Sequence, residues 1–361
     1  MTDFDARAPY ARLTPHQMLD ALAAAGLPVT GGLLQLNSYE NRVVQAALDE
    51  GDAVVAKFYR PRRWSDAQIL EEHAFARELA DDELPVAAPC VLAPTEPAPG
   101  LAVHGDPPTL GAWQPPRAED GDDDSATPPL YRFAVAPRRA GRAPELESPH
   151  TLAWLGRLLG RLHGVGARRP FVHRRRLDCD TYGTQARERV EQSDLLPPTQ
   201  ADAWLTVSGH AIDAARAAFA AAGQPRALRL HGDCHPGNIL WRDEGDAAGP
   251  LFVDLDDACT GPAIQDLWML LAGDREAMQR QLAHVLGGYR AFMDFDPGEL
   301  GLIEALRTLR MIHHSAWLAE RWDDPAFPAA FPWFGTPAYW DQQTTQLREQ
   351  LEHMALPPLR A

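Results

Sequence analysis

Lysine is almost absent from this chain of 361 residues, because 33 of its 34 basic residues are arginines and only Lys57 is a lysine. Long apolar runs are absent as well. No stretch reaches the roughly 18 apolar residues of a membrane-spanning helix. The first ten residues, MTDFDARAPY, have neither the basic nor the apolar region of a secretory signal. We therefore expect a cytoplasmic protein.

Cysteines are few, and the charge balance has the wrong sign for binding nucleic acid. Cys90, Cys179, Cys234 and Cys259 form no Cys-x-x-Cys pair, which argues against a disulfide scaffold and a structural zinc site. The formal net charge of −16 repels phosphate backbones, so we exclude nucleic-acid binding as a function class. The 45% of hydrophobic residues is nevertheless enough to build folded cores.

The single lysine lies in a segment with a clear β pattern. AVVAKFY, residues 53–59, alternates so that Lys57 projects from one face of a predicted strand. A bias towards arginine explains why lysine is rare, and chance survival is the simpler explanation for position 57. A functional site that needs a compact ammonium, which the planar guanidinium cannot replace, is the other explanation.

A predicted helix, WSDAQILEEHAFARELADD, follows that strand with Ser65 or Asp66 as its N-cap. Glu72 shares a helical face with Phe75 and Leu79, the face expected to turn inward, and this favours Glu72 over its neighbour Glu71. A strand lysine followed by a helix glutamate is the pair that holds the ATP phosphates in protein kinases. Taken alone, such a pair is more often a surface salt bridge.

A β-rich island at residues 228–255 interrupts the mainly helical second half of the chain. The segment HGDCHPGN has the residues of a tight loop, and ILW and LFV flank the polar turn of a predicted hairpin. Asp233 and Asn238 precede the first strand and Asp254 follows the second, so the hairpin brings three oxygen-bearing side chains together. This set predicts phosphoryl transfer, with Asp233 as the base and Asn238 and Asp254 as Mg²⁺ ligands.

Neighbouring residues are expected to support this loop. We interpret His231 and Asp266 as structural, with Asp266 accepting hydrogen bonds from backbone N–H groups of the loop. Asp256 is an alternative additional metal ligand. Cys234 invites a redox-switch hypothesis, but an inert small side chain is the favoured interpretation.

Two lobes are predicted, a β-rich nucleotide-binding lobe at residues 1–138 and a mainly helical lobe at residues 139–361. No G-x-G-x-x-G phosphate loop occurs in the first lobe. The turn in LNSYENRV takes its place, where backbone N–H groups or the Ser38 hydroxyl could contact phosphate. Residues 105–128, rich in Pro, Gly and Asp, are predicted to form a flexible insert. The tryptophan-rich stretch 317–340 is more typical of a core than of a ligand site.

Together, the segments HGDCHPGN, FVDLDD, LNSYENRV, VVAKFYRP and ILEEHAFA resemble the aminoglycoside-phosphotransferase and choline-kinase branch of the protein kinase superfamily. The resemblance covers nearly the whole chain. It implies an α+β, bilobal, protein-kinase-like fold with a small β-rich N-lobe and a larger, mainly helical C-lobe. Within that branch the chain is most similar to bacterial Ser/Thr protein kinases of envelope and oxidative stress responses. That similarity implies a cytoplasmic monomer that uses ATP and Mg²⁺.

The resemblance also implies roles for individual residues. Asp233 matches the proton acceptor, Asp254 a catalytic Mg²⁺ ligand and Asn238 the second ligand, while Ser38 matches an ATP-contacting position. The acceptor stays open between a Ser/Thr protein and a small alcohol such as an aminoglycoside, choline or homoserine. Neither a nucleic acid nor a membrane is expected as a partner. A pseudokinase is disfavoured because Lys57 and all three loop residues are present.

Overall fold

A computed structural model gives the fold and describes residues 8–95, 97–116, 129–223, 225–243 and 248–360. The chain divides into two compact units, and each unit includes a short segment from the other's part of the sequence. The N-terminal unit comprises Met1–Ala80, Val86–Ala140 and Asp323–Ala326, and the C-terminal unit comprises Asp81–Pro85, Gly141–Trp322 and Phe327–Ala361.

The N-terminal unit contains one antiparallel sheet and two main helices. Its helices are α1 (Pro15–Ala24) and α2 (Asp66–Asp81). Its strands are β1 (Val29–Gln35), β2 (Arg42–Leu48), β3 (Ala53–Phe58), β4 (Leu101–His104), β5 (Leu110–Trp113) and β6 (Tyr131–Pro137). Their order across the sheet is β1-β2-β3-β6-β5-β4.

Strand β3 lies in the middle of this sheet. Lys57 pairs with Val43 of β2 on one side and with Ala134 of β6 on the other. The buried and half-buried residues of β3 alternate, so the buried side chains of Val54, Ala56 and Phe58 lie on one face and Lys57 lies on the other. This alternation confirms the predicted strand and the face from which the lysine projects.

The helices of this unit begin at side-chain caps. The Thr14 hydroxyl oxygen accepts a hydrogen bond from the Gln17 amide at 3.2 Å, ahead of Pro15 in the first turn of α1. For α2, the Ser65 hydroxyl oxygen accepts from the Gln68 amide at 3.3 Å, and the Gln68 side chain accepts from the Ser65 amide at 2.9 Å. Of the two candidate caps for α2, Ser65 therefore caps it, in a reciprocal capping box.

The prediction of one flexible insert at residues 105–128 is wrong for its first part. Strand β5 lies between β4 and β6, and its four residues, LGAW, are all buried. The Trp113 indole N–H donates to Gln17 Oε1 at 3.0 Å, which ties the strand to α1. This apolar run is so short that the surrounding Pro, Gly and Asp residues dominated the composition. Residues 117–128 lie outside the described residues.

The C-terminal unit is mainly helical. Its helices are α3 (Pro149–Gly166), α4 (Gln185–Glu191), α5 (Pro198–Ala221), α6 (Ile264–Trp268), α7 (Arg275–Tyr289), α8 (Ile303–Ala319), α9 (Ala326–Ala330, which starts in the exchanged segment) and α10 (Pro337–Met354). Its short strands are β7 (Leu228–Leu230), β8 (Ile239–Arg242), β9 (Gly249–Phe252) and β10 (Cys259–Gly261). None of the helices in the described ranges has both the length and the apolar character needed to cross a membrane.

The tryptophan-rich stretch contributes to the core of this unit, as predicted. Trp204 of α5 and Trp340 of α10 are fully buried, and their rings meet edge to face with centroids 5.2 Å apart. Trp317 and Trp322 pack partly buried against the same cluster. Large aromatic surfaces removed from water stabilise such a core most strongly.

Helices α3 and α7 approach each other closely because glycines lie at their contact. A Cβ atom built on Gly156 of α3 would lie 2.0 Å from the carbonyl oxygen of Val285. A Cβ atom on Gly288 of α7 would lie 2.0 Å from the carbonyl oxygen of Ala153. Neither obstacle is a movable side chain, so the two backbones can pack this closely only without side chains at these positions.

Two adjacent glycines of α7 test this packing. We expect Gly288→Ala to lower the free energy of unfolding by about 2–4 kcal/mol, because the methyl group would collide with the Ala153 carbonyl. Gly287 has open space around its Cβ position, so Gly287→Ala should raise that free energy by about 0.5–1 kcal/mol through helix propensity. Urea denaturation of both variants measures the difference. Equal changes in the free energy of unfolding for the two variants would show that α3 and α7 can separate to admit a methyl group.

Candidate active site

The loop HGDCHPGN begins where β7 ends and is framed by paired strands. β7 pairs antiparallel with β10, with Leu230 opposite Cys259. Gly232 has φ +84°, and a Cβ atom there would lie 2.3 Å from the carbonyl oxygen of Asp257. Only glycine combines a left-handed conformation with such a close approach, so the glycine of the His-Gly-Asp sequence is a steric requirement.

The fully buried carboxylate of Asp266 holds the start of this loop. Its Oδ2 accepts from the His231 amide at 2.9 Å and its Oδ1 accepts from the Gly232 amide at 2.8 Å. Nε2 of the fully buried His163 lies 3.0 Å from Oδ2. The predicted role of Asp266 is confirmed, since a carboxylate with both oxygens on consecutive amides fixes the backbone just before Asp233.

Two further side chains were missed by the sequence reasoning, one that holds the loop and one that holds the segment after Asp254. The Gln265 amide nitrogen donates to the carbonyl oxygen of Gly232 at 2.9 Å. Arg174 donates to the carbonyl oxygen of Ala258 at 2.8 Å and also to that of Asp256. The position of Gln265 next to Asp266 is a weak sequence signal for its role. Nothing in the sequence around Arg174 distinguishes it from its arginine neighbours.

The predicted hairpin after the loop is confirmed. Strands β8 and β9 pair antiparallel, with Ile239 opposite Phe252. The Val253 amide donates to the carbonyl oxygen of Asn238 at 3.0 Å, and the His231 ring Nε2 lies 3.0 Å from the carbonyl oxygen of Val253. Because of these contacts, the end of the loop and the residue before Asp254 are neighbours.

Asp254 itself has an unusual backbone conformation. Its φ and ψ angles are +60° and +65°, in the left-handed region that residues other than glycine seldom adopt. Such a conformation costs energy and persists where the surrounding structure enforces it, most often at functional sites. The predicted metal ligand is therefore also a point of backbone strain.

The side chain of Asn238 is oriented by contacts with Asp233. Its Nδ2 group donates to the carbonyl oxygen of Asp233 at 3.0 Å and lies 3.4 Å from Asp233 Oδ2. With the amide nitrogen engaged in this way, the amide oxygen is the atom that can coordinate a cation.

These residues fit Mg²⁺, which prefers hard oxygen ligands and often takes only one or two protein side chains, completed by water and nucleotide phosphates. Within the described ranges, no group of three or more His, Cys, Asp or Glu side chains could hold a metal by itself.

The Asp233 carboxylate has charged neighbours on both oxygens. Arg310 Nη1 of α8 lies 2.6 Å from Oδ1, without the alignment of a hydrogen bond, and His235 Nε2 lies 3.5 Å from Oδ2. Burial raises the pKa of Asp233, but the interactions with His235 and Arg310 outweigh it and hold the pKa below its usual range. Asp233 is therefore ionised, as a proton acceptor must be. Arg310 is far away in the sequence and carries no motif.

Cys234, next to Asp233, has the environment of an unreactive thiol. Its side chain is fully buried. Burial, then the charges of Asp266 and Asp233, raise the pKa of Cys234 well above its usual value. Because the thiolate is the reactive form, this environment favours the inert interpretation over a redox switch.

The candidate nucleotide-binding residues lie in the N-terminal unit. Glu72 is buried on α2 together with Phe75 and Leu79, which agrees with the predicted inward face. The Lys57 ammonium lies 5.1 Å from the centre of the Tyr59 ring. Ser38 lies in the turn between β1 and β2, where its hydroxyl oxygen accepts from the Asn41 amide at 3.2 Å.

Residues 32–303 match the family model described as the phosphotransferase enzyme family, APH, and the chain belongs to this family. The match covers the β1–β2 turn, the central strand and the whole catalytic loop. It confirms the predicted α+β, protein-kinase-like fold.

Similar curated proteins extend over nearly the full length of the chain. Stress response kinase A of Salmonella choleraesuis (strain SC-B67) is 44% identical over 352 residues, 96% of this chain and 95% of that protein. The Serine/threonine protein kinase RdoA of Salmonella typhimurium has the same identity and coverage. Stress response kinase A of Escherichia coli (strain K12) is 42% identical over 348 residues, with 96% and 95% coverage.

Solved structures share the fold at low sequence identity. Amicoumacin kinase hAmiN, in complex with AMP-PNP, Ca²⁺ and Ami, is 18% identical with a TM-score of 0.65, covering 95% of this chain and 94% of that one. A microcompartment-associated aminopropanol kinase is 16% identical with a TM-score of 0.64, covering 94% and 99%. At this identity, the similarity is one of fold.

Replacing the buried anchor tests its role. We expect Asp266→Asn to lower the rate of the phosphotransferase reaction at least tenfold and the free energy of unfolding by about 2–4 kcal/mol. The reason is that the amide NH₂ would face a backbone N–H instead of accepting from it. Initial rates and urea denaturation measure the two effects. The exposed Asp243→Asn is the matched control and should leave both the rate and the free energy of unfolding nearly unchanged. An active Asp266→Asn variant would contradict the anchoring role.

Proposed function

We propose that this protein is an ATP- and Mg²⁺-dependent Ser/Thr protein kinase that acts in a bacterial stress response. The observation that carries the proposal is the hydrogen bonding of Asn238 to Asp233 inside a loop fixed by Asp266. The names of the full-length relatives, Serine/threonine protein kinase and Stress response kinase A, support the substrate class and the stress context. A cytoplasmic monomer remains part of the proposal.

In this mechanism Asp233 positions the acceptor hydroxyl and accepts its proton. The hydroxyl oxygen then forms a bond to the γ-phosphorus, the bond from that phosphorus to the β–γ bridging oxygen breaks, and ADP leaves. Mg²⁺ held by Asn238 and Asp254 would neutralise charge on the phosphate oxygens. The contact from Asn238 Nδ2 keeps the Asp233 carboxylate in place for the transfer.

The nucleotide is assigned to residues of the N-terminal unit. Lys57 would pair with the phosphates, with buried Glu72 as the partner that orients it, as in protein kinases. The β1–β2 turn with Ser38 would contact phosphate in place of a glycine-rich loop. The central position of β3 in the sheet supports this role for Lys57, because a strand paired on both sides holds its side chains rigidly.

A small-molecule O-phosphotransferase is the second candidate. The structural neighbours named as amicoumacin kinase and aminopropanol kinase favour it, because their titles name small molecules. Both candidates deprotonate a hydroxyl with the same base, so the Asp233 geometry serves either reaction. The acceptor has to be identified directly.

Labelled ATP separates the two candidates. We expect incubation of the native protein with γ-labelled ATP, Mg²⁺ and a bacterial extract to place label in protein bands. An Asp233→Asn variant should reduce the transfer at least about 10³-fold while nucleotide affinity changes by less than about threefold, because only the proton acceptor is lost. Label that appears in a small alcohol and not in protein would contradict the protein-kinase proposal.

The single lysine gives a second test. We expect Lys57→Arg to raise the KM for ATP and lower kcat, together at least about tenfold in kcat/KM, because a planar guanidinium cannot replace a compact ammonium on the central strand. Arg280→Lys, at an exposed position of α7, is the control and should leave both constants unchanged. Normal constants for Lys57→Arg would show that the lysine at this position is not required.

A further inference from the structure

We propose that the acceptor is an acidic peptide: a Ser or Thr hydroxyl flanked by Asp or Glu side chains, recognised by Arg310 of α8. The inference rests on the proposed protein-kinase function and specifies its substrate class.

Arg310 is the cation closest to the reaction centre in the C-terminal unit as far as that unit is described. Its Nη1 lies 2.6 Å from Oδ1 of Asp233, and its side chain is 43% exposed while that of Asp233 is 19% exposed. An incoming hydroxyl must reach Asp233, so it must also come beside Arg310. A group on the acceptor that pairs with a guanidinium is therefore favoured at this point.

His314, Trp317 and Arg321 lie on the same side of α8 as Arg310. The four residues follow one another at steps of four, three and four, which places them on one side of a helix. The rings of His314 and Trp317 stack with centroids 5.6 Å apart, and the guanidinium of Arg321 lies 5.3 Å from the centre of the Trp317 ring. Arg321 is buried and pairs with Glu320, and burial, then the charge of Arg310, lowers the pKa of His314. Of these four residues, Arg310 is therefore the cation exposed to an acceptor.

His313 of α8 contacts an arginine and a tyrosine from outside the helix. Arg175 Nη1 lies 3.3 Å from Nε2 of His313, whose ring stacks on Tyr182 with centroids 4.3 Å apart. Burial, then the charges of Arg175, Arg189, Arg321 and Arg310 in that order, lower the pKa of His313 well below its usual value. His313 is therefore neutral and can accept a hydrogen bond from Arg175.

Several arginines lie near His313 of α8. Four arginines surround His313, whereas Glu320, which pairs with Arg189 at 2.7 Å and with Arg321 at 3.0 Å, is shared between two of them. Charges are screened over about 8 Å at physiological salt, so an acceptor beside Asp233 is governed by these arginines more than by the net charge of −16. A cationic small alcohol would meet the guanidinium of Arg310 beside Asp233, and this arrangement disfavours it.

An acidic acceptor also frees the base. A substrate carboxylate can replace Asp233 as the partner of Arg310 when the hydroxyl arrives. Asp233 then has Oδ1 available to take the hydroxyl proton, Arg310 keeps an anionic partner, and His235 stays beside Oδ2 of Asp233. A cationic acceptor would instead place like charges together beside Arg310, which costs affinity.

Three peptides that share one serine and differ in their flanking residues test the proposal. The flanks are Glu, Gln or Arg, and kcat and KM are measured for each with the full-length protein, ATP and Mg²⁺. The variants are Arg310→Gln, Arg310→Lys and Arg280→Gln. The last is the matched control, since it removes the same charge from the exposed Arg280–Glu276 pair. The ratio of kcat/KM between peptides is the readout, because a general loss of activity does not change it.

We expect the native protein to favour the Glu peptide at least about tenfold over the Gln peptide, mainly through KM. Arg310→Gln should bring that ratio to about one, whereas Arg310→Lys and Arg280→Gln should keep it. If Arg310→Gln were inactive on every peptide, the same collapse of the ratio in Arg175→Gln would support the proposal, and an unchanged ratio would oppose it.

A native protein that prefers the Gln or Arg peptide would overturn the inference and leave the protein-kinase function standing. An unchanged ratio in an active Arg310→Gln variant would do the same. Failure of the proposed function itself looks different: no peptide is phosphorylated and a small alcohol is.

Discussion

The buried carboxylate of Asp266 is the interaction on which the rest of the site depends. A fully buried charge is tolerated only when it is paired and hydrogen-bonded, and Asp266 meets this condition with two loop amides and His163. His163 belongs to α3, which can lie close to α7 because glycines replace side chains at their contact. Contacts from the buried core thus fix the position of the loop, and the loop in turn fixes the positions of Asp233 and Asn238.

Much of the catalytic loop could be predicted because its signals are local. Turn residues, short apolar strands and the Asp-x-x-x-x-Asn spacing all lie within about thirty residues, where backbone geometry alone determines which side chains meet. The role of Asp266 followed from its position at the start of a helix. Arg310 could not be predicted, because its contact with Asp233 depends on how α8 packs, and tertiary packing leaves no local pattern. Strand β5 was missed for a different reason: four apolar residues were averaged with their polar surroundings.

The net charge of the chain and the charges close to Asp233 act over different distances. A net charge of −16 describes the field far from the molecule, where it repels polyanions such as nucleic acid. Near Asp233 the guanidinium of Arg310 and its neighbours set the field over a few ångströms. Total composition therefore describes the field at a distance, whereas a molecule beside Asp233 meets the few charged side chains that the fold brings there.

The central strand of the N-terminal unit has a chemical consequence of its own. Since Lys57 is the single lysine in the sequence, it carries the single ε-amine of the polypeptide. An acylating probe or a lysine-directed covalent inhibitor would therefore find one side chain to modify, on a strand paired on both sides. Mass spectrometry of such an adduct would report the accessibility of Lys57 without interference from other side-chain amines, and a protease that cleaves after lysine would cut the chain at one place.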